Sequence, residues 1–275
     1  MCERRLDEYF EANRRHWDEL VPIHTRSAYY DVDAFRAGKS SLHALEREEL
    51  GDVRGKSLLH LQCHFGLDTL SWAREGAAVT GVDFSVPAIE AARTLAAECG
   101  IDTRFVLSSL YELPGKLEGH FDVVYTSYGA LCWLPDLKRW AEVVGHFLRP
   151  GGTFYVVDFH AMSGVFIMEP GVTDLVVREP YFPIDEPLVF EDDGSYADPS
   201  AKLENRLTYS WPHPISEVAT SLINAGLRIE FLHEFPFTVE QVFPFMDQSS
   251  DGYWRLTKHP GSVPLLYSIK AAKPS

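Results

Sequence analysis

The segment from Ser57 to Asp83 constrains this chain more than any other, because it holds a β-prone run, a tight turn, a helical pattern and a second β-prone run in immediate succession. "SLLHLQ" (57–62) and "AAVTGVD" (77–83) are the β runs, and "DTLSWAREG" between them sets Leu70, Trp72 and Ala73 along one side of a two-turn helix. Strand, helix and strand in that order make a β-α-β unit, and the pattern continues. Ser85 stands where an N-cap is wanted, "VPAIEAARTLAAEC" carries apolar residues at helical spacing, and Gly100 stands at its C-terminal stop. "TRFVLS" (103–108) and "FDVVYTS" (121–127) read as the third and fourth strands. "DLKRWAEVVGHFL" (136–148) reads as a helix, "RPGG" as its stop, and "TFYVVDFH" (153–160) as the fifth strand. Later, Ile215, Val218, Ala219, Leu222 and Ile223 recur at helical spacing ahead of the alternating "LRIEFL" and a last run, "VPLLYSIK". Seven strands alternating with helices predict an open, doubly wound α/β sheet that binds its ligand beyond the carboxyl ends of the strands.

Two stretches stand outside the repeat. Residues 161–212 are rich in proline, glycine, acids and aromatics, with only short β-like runs, and read as an insertion after the fifth strand. The first 56 residues hold a helix with Leu6, Tyr9, Phe10, Asn13, Trp17 and Leu20 near one face, then the aromatic "SAYYDVDAF", then a second helix, "SLHALEREEL". The predicted organisation is a helical cap over 1–56, a sheet domain over 57–160 and 213–275, and an insertion over 161–212 that shapes the substrate site.

Charge narrows the partners. With 40 acidic against 25 basic residues the formal charge is −15, which repels a phosphate backbone and argues against nucleic acid. Cys2, Cys63, Cys99 and Cys132 have neither metal-ligand nor paired spacing, so reduced thiols in a cytoplasmic protein without a metal site are expected. No apolar stretch approaches the roughly 18 residues of a membrane span. A small-molecule partner, and a monomer or homodimer, are the expectations.

In such a sheet the turn after the first strand approaches the ligand most closely, and an acid ending the second strand can accept hydrogen bonds from ribose hydroxyls. Asp83 is that acid, 17 residues after Gly66. The series "LLHLQCHFGLDTLSWA", "VTGVDFS", "RFVLSSLYELP", "FDVVYTSYGALCWLPDL" and "HFLRPGGTFYVVDFH" resembles the class I S-adenosylmethionine-dependent methyltransferases, in particular a bacterial branch whose first motif reads HLQCHFG. The likeness is close over 58–160 and extends through "WPHPISEVATSLINAGLRIEFLHEF" toward the end of the sheet. The usual pattern ends the first strand in an acid and sets glycines at three alternate turn positions. Here His60 stands at the acidic position, Gln62 and His64 at the first two glycine positions, and Gly66 alone at the third.

The resemblance implies S-adenosylmethionine as cofactor and a Rossmann-like methyltransferase sheet. Since that cofactor has no phosphate for backbone amides to wrap, side chains are tolerated in the turn, and Gln62 and His64 are expected to bond the methionine half. By the same resemblance Asp83 holds the ribose, Phe84 packs on adenine, Ser109 and the Leu110 backbone bond its ring, and His60 and Ser127 complete the cofactor site.

A sulfonium is an activated methyl donor, so the reaction chiefly needs an acceptor aligned behind the methyl, with a general base second. Tyr128 after the fourth strand, His160 at the end of the fifth, and His213 in "YSWPHPISE" are the candidate catalytic groups. Tyr29, Tyr30 and Trp133 are the candidates for the acceptor pocket. Three rival readings stay open at this level: transfer or cyclisation of the cofactor's aminocarboxypropyl arm, a non-catalytic cofactor-binding module, and a nicotinamide oxidoreductase, the last disfavoured because two of three dinucleotide-turn glycines are absent.

Overall fold

The computed structural model describes residues 3–191 and 193–275, so Cys2 lies outside the described residues. Seven strands form one central sheet: β1 (Ser57–Leu61), β2 (Ala78–Asp83), β3 (Arg104–Leu107), β4 (Phe121–Ser127), β5 (Leu148–Phe159), β6 (Arg228–Phe235) and β7 (Leu266–Ala272). Their order is β3-β2-β1-β4-β5-β7-β6. Neighbours from β3 through β5 are parallel, while β7 runs antiparallel to both β5 and β6. The doubly wound seven-stranded sheet is therefore present, with a reversed strand next to its edge that periodicity alone does not reveal.

The helices are α1 (Glu3–His24), α2 (Val32–Arg36), α3 (Ala44–Leu50), α4 (Leu67–Arg74), α5 (Val86–Cys99), α6 (Leu137–Phe147) and α7 (Ile215–Asn224). Strand alternation sorts the core onto two faces. Leu59, Leu61, Val124, Phe154 and Val156 meet Trp140, Val144 and Phe147 of α6 and Leu222 of α7. Leu58, Val79, Val123, Tyr125 and Tyr155 meet Leu50 of α3 and Trp72 of α4 on the other side. Both caps of α5 match the sequence: Ser85 accepts from the Ala88 amide, and Gly100 closes the helix at φ 64.

One boundary differs. β5 begins at Leu148, directly after α6, so "RPGG" lies inside the strand rather than before it. The ladder absorbs these residues as an irregularity, pairing Phe121 with Leu148 and then Val123 with Thr153.

Outside the sheet, the short strands Leu188–Glu191 and Leu207–Ser210 pair as an antiparallel ribbon. α1 docks on that ribbon through Asn13, whose amide donates to the Tyr209 carbonyl and accepts from the Tyr209 N–H, both at 2.8 Å. A side chain thus stands in for the missing neighbouring strand. Between β6 and β7 the chain makes a further small hairpin, Met246–Gln248 with Trp254–Leu256.

Candidate active site

The turn after β1 keeps a glycine-like backbone without the glycines. Gln62, His64 and Gly66 all have positive φ, at 56°, 50° and 83°. A left-handed conformation costs a side-chain-bearing residue about 1–2 kcal/mol, so two such residues require compensation. The Asp83 carboxylate supplies part of it by accepting the His64 N–H at 2.8 Å, and Gln62 Nε2 donates to the Ala130 carbonyl at 2.9 Å. Gly66 has no such latitude: a Cβ there would lie 2.8 Å from the Phe105 ring and 3.1 Å from Ala92. Sterics thus explain why the third turn glycine is retained.

This turn forms one wall of a cavity of about 650 Å³. His60, Gln62, His64, Gly66, Ser127, Tyr128, Trp133, Tyr29 and Tyr30, nine of the residues singled out in the sequence, line it together. His60 bonds Thr69 Oγ1 at 2.8 Å and Ser127 at 3.3 Å, and burial lowers its pKa to about 4, so the ring is neutral. Ser127 also donates to Asp68 Oδ2 at 3.0 Å, and Ser41 to Asp68 Oδ1 at 2.6 Å. His64 is tied to the cap: its Nε2 lies 2.9 Å from Nδ1 of His24, whose Nε2 contacts Ser195 Oγ. Burial drives His64 well below the ordinary histidine value and His24 to about 4.

The aromatic part of the lining comes from segments distant in sequence, and Trp17 and Tyr30 of it pack on His64 of the turn. Trp17 of α1 meets Trp133 edge to face with ring centres 5.4 Å apart. The Tyr30 and Tyr196 hydroxyls bond each other, and the Tyr29 hydroxyl donates to Glu240. Tyr128 donates to Glu46 at 2.9 Å. Glu46 is fully buried, and burial, aided by the nearby Asp68 charge, raises its pKa to about 8.

Asp83, Phe84, Ser109 and Leu110 do not line this cavity and lie beyond the turn, at the ends of β2 and β3. Burial raises Asp83 to about 6 even though its oxygens accept from the amides of His64 and Ser85. The Leu110 side chain belongs to the core. The two other predicted bases do not face the cavity. His160 accepts from the Met162 amide, stacks on Tyr181 and lies 2.9 Å from Glu234, so its strand-end position turns it away from the turn. His213 is held by Glu217 and the Leu134 carbonyl at the entry to α7.

The residues fit S-adenosylmethionine on an observation of their own: among the described residues Gln62 Oε1 is buried without a hydrogen-bond partner while the same side chain lines the cavity. An orphaned amide oxygen there calls for a donor such as the cofactor's ammonium. Residues 58–152 match the methyltransferase domain family. A ubiquinone biosynthesis O-methyltransferase of Escherichia coli O6:H1 is 31% identical over 173 residues, covering 62% of this chain and 67% of that one. The chain is a class I S-adenosylmethionine-dependent methyltransferase.

The methyltransferase shares its fold with an S-adenosylmethionine-dependent methyltransferase from Mesorhizobium loti, at 21% identity and TM-score 0.57 over 86% of this chain and 99% of that one. A glycopeptide N-methyltransferase solved with S-adenosylmethionine matches at 15% identity and TM-score 0.52 over 90% of this chain and 94% of its own. Sequence reasoning missed Ser41, His43, Asp68, Tyr196 and Glu240 of the methyltransferase cavity, and gave Trp17 only as a helix-face residue. Asp68 was findable, since it lies in the first turn of the helix after Gly66; the others carry no local signal.

Proposed function

We propose that the enzyme methylates a small hydroxylated aromatic molecule, and that it belongs to the branch with the HLQCHFG first motif. The observation carrying the acceptor class is the aromatic lining of Trp17, Tyr29, Tyr30, Trp133 and Tyr196 in the same 650 Å³ cavity as the turn after β1, with Trp17 and Tyr30 packed on His64 of that turn. A flat ring slides between such walls with little polar desolvation. The O-methyltransferase named among the relatives points the same way. The cofactor, when bound, supplies an activated methyl group on a sulfonium.

In this reading Gln62, His64, Ser127 and His60 bind the methionine half, while Asp83, Phe84, Ser109 and the Leu110 backbone bind the adenosine half. Gln62 accepts from the ammonium through Oε1, its amide orientation being set by the bond to Ala130. Asp83 offers its carboxylate to the ribose, and Tyr29, Tyr30 and Trp133 hold the acceptor. Tyr128 closes the side of the cavity next to β4 and excludes water from the displacement. The cap over 1–56 and the insertion over 161–212 form the acceptor's enclosure, supported by the cavity positions of Trp17, Tyr29, Tyr30 and Tyr196. The charge of −15 supports free small molecules over nucleic acid, and the described cysteines, Cys63, Cys99 and Cys132, are free thiols in keeping with the cytoplasm.

The test is direct. Incubation with S-adenosylmethionine and a panel of phenols, catechols, amines and keto acids should yield S-adenosylhomocysteine and a methyl ether by mass spectrometry. Methylthioadenosine as product would establish aminocarboxypropyl chemistry instead, and turnover of amines alone would remove the hydroxyl acceptor.

A further inference from the structure

Three histidines line the cavity, and two of them are tied down. The His60 ring is held by Thr69 and Ser127, and the His64 ring by His24. His43, the residue that precedes α3, also lines the cavity; among the described residues no other side chain hydrogen-bonds its ring, and its polar neighbour is the Glu46 backbone N–H of the capping box that opens α3. Its backbone N–H donates to Glu46 at 2.7 Å, which fixes the residue at the start of the helix. Its ring packs edge to face on Tyr128, with centres 5.5 Å apart, and tilts against Tyr253 at 6.0 Å.

Hydrogen bonds also connect this part of the wall to the cofactor turn. Ser41, two residues earlier, donates to Asp68; Ser127 at the end of β4 donates to the other oxygen of Asp68; and His60 at the end of β1 contacts Ser127. The chain leading to His43 is thereby held against the ends of the two strands that flank the turn.

We propose that His43 is the catalytic residue that takes the hydroxyl proton from the acceptor. The inference rests on the hydroxyl acceptor proposed above. The acceptor oxygen forms the new bond to the methyl carbon as the carbon–sulfur bond breaks, its electron pair staying on sulfur. The hydroxyl proton passes to a His43 ring nitrogen, and the imidazolium later releases it to water. The groups around the ring suit both states. Burial lowers the His43 pKa from the ordinary histidine value and outweighs the opposing pull of Asp68, so the resting ring is neutral and able to accept. Once the proton has moved, the Asp68 charge on α4 favours the positive ring, while Glu46, held neutral at pH 7 by its raised pKa of about 8, Tyr128 and Tyr253 flank it.

The experiment compares wild type with His43→Gln and His43→Ala, using S-adenosylmethionine with catechol and 4-nitrocatechol. Calorimetry with S-adenosylhomocysteine should give unchanged affinity in both variants. Turnover should fall 10²- to 10⁴-fold, with the loss shrinking as pH rises and the acceptor ionises in solution. As a readout independent of turnover, diethyl pyrocarbonate followed by peptide mapping should modify His43 in the S-adenosylhomocysteine complex, and added catechol should protect it. Wild-type turnover in the variants, or His43 modification that catechol does not slow, overturns the proposal. If S-adenosylhomocysteine binds but no catechol or phenol is methylated, the role of His43 falls while the cofactor reading stands. If S-adenosylhomocysteine does not bind, the reading of the site itself fails.

Discussion

The two walls of the cavity are built by different means. The side proposed for the cofactor is the turn after β1, which is held both by near neighbours, Asp83 on the His64 amide 19 residues away and His60 on Thr69 nine residues on, and by the adjoining β4 segment, through Gln62 to Ala130 and His60 to Ser127. The side proposed for the acceptor is assembled from far-flung pieces. Tyr30 meets Tyr196 across 166 positions, and Tyr29 meets Glu240 across 211. A wall made of neighbouring elements is rigid once the sheet forms. A wall joined by side-chain contacts between loops owes its shape to the last docking steps, and it can vary without disturbing the sheet.

Acid titration should separate the walls most strongly, because each contains one histidine with a pKa near 4: His60 in the sheet and His24 at the end of α1. Their folded values lie below the unfolded value of 6.5, so the unfolded chain binds more protons between pH 6.5 and 4 and stability falls as pH drops through that window. At about 1.4 kcal/mol per pH unit, each contributes a loss of up to about 3 kcal/mol. Denaturant unfolding from pH 7 to pH 4 should show it, and His24→Asn should lower the slope by its own share, up to about 1.4 kcal/mol per pH unit, with His60 and His64 keeping theirs. An unchanged slope would mean that the cap has already opened at mild acid.

The next effect belongs to the sheet side. Gly66→Ala combines a left-handed backbone with a Cβ 2.8 Å from Phe105. Strain and overpacking together should cost about 2–4 kcal/mol. A second change, Phe105→Leu, should recover part of the loss if the clash is its cause; calorimetric melting reads both.

Asp83→Ala should weaken S-adenosylhomocysteine binding ten-fold or more, since a charge-assisted hydrogen bond contributes roughly 1.5–3 kcal/mol. The structure adds a second consequence. Asp83 also holds the His64 and Ser85 amides, so the variant should melt at a lower temperature. Equal cofactor affinity in calorimetry would remove Asp83 from the ribose site.

The smallest effect is expected on the acceptor side. Tyr29→Phe deletes one hydroxyl that donates to Glu240 and should raise the KM for a catechol by several-fold, about 1 kcal/mol, with cofactor affinity unchanged. A matching loss of cofactor affinity would show that the two walls are coupled through the Tyr30 and His64 rings.

What the sequence made legible follows the same division. Strands β1 to β4, α5 with both caps, and α7 are short-range patterns of apolar spacing and capping, and they stand in the structure within a residue or two of where spacing places them. The turn residues were legible by position as well. The reversal of β7 was not, because a buried strand reads alike in either direction. Nor was the part played by Glu240, whose partner lies 211 residues away. His160 and His213 lie outside the cavity lining, since a strand end or a helix entry says which edge of the sheet a side chain occupies but not toward which side its ring turns.

The reversed strand has a consequence for how this scaffold can diversify. β6 runs the same way as β5, and Phe235 at its end lies opposite Leu266, which also faces Phe159. Chain therefore leaves the sheet at β6 and returns at β7 on one edge, the edge that bears the cofactor turn. Any length of polypeptide spliced between those two points hangs over the cavity without altering a single strand register. Doubling such a loop costs only about 0.6 kcal/mol in closure entropy. The stretch that now brings Glu240 to the cavity can thus be lengthened or exchanged at little cost, while the turn after β1 is held by its own sheet.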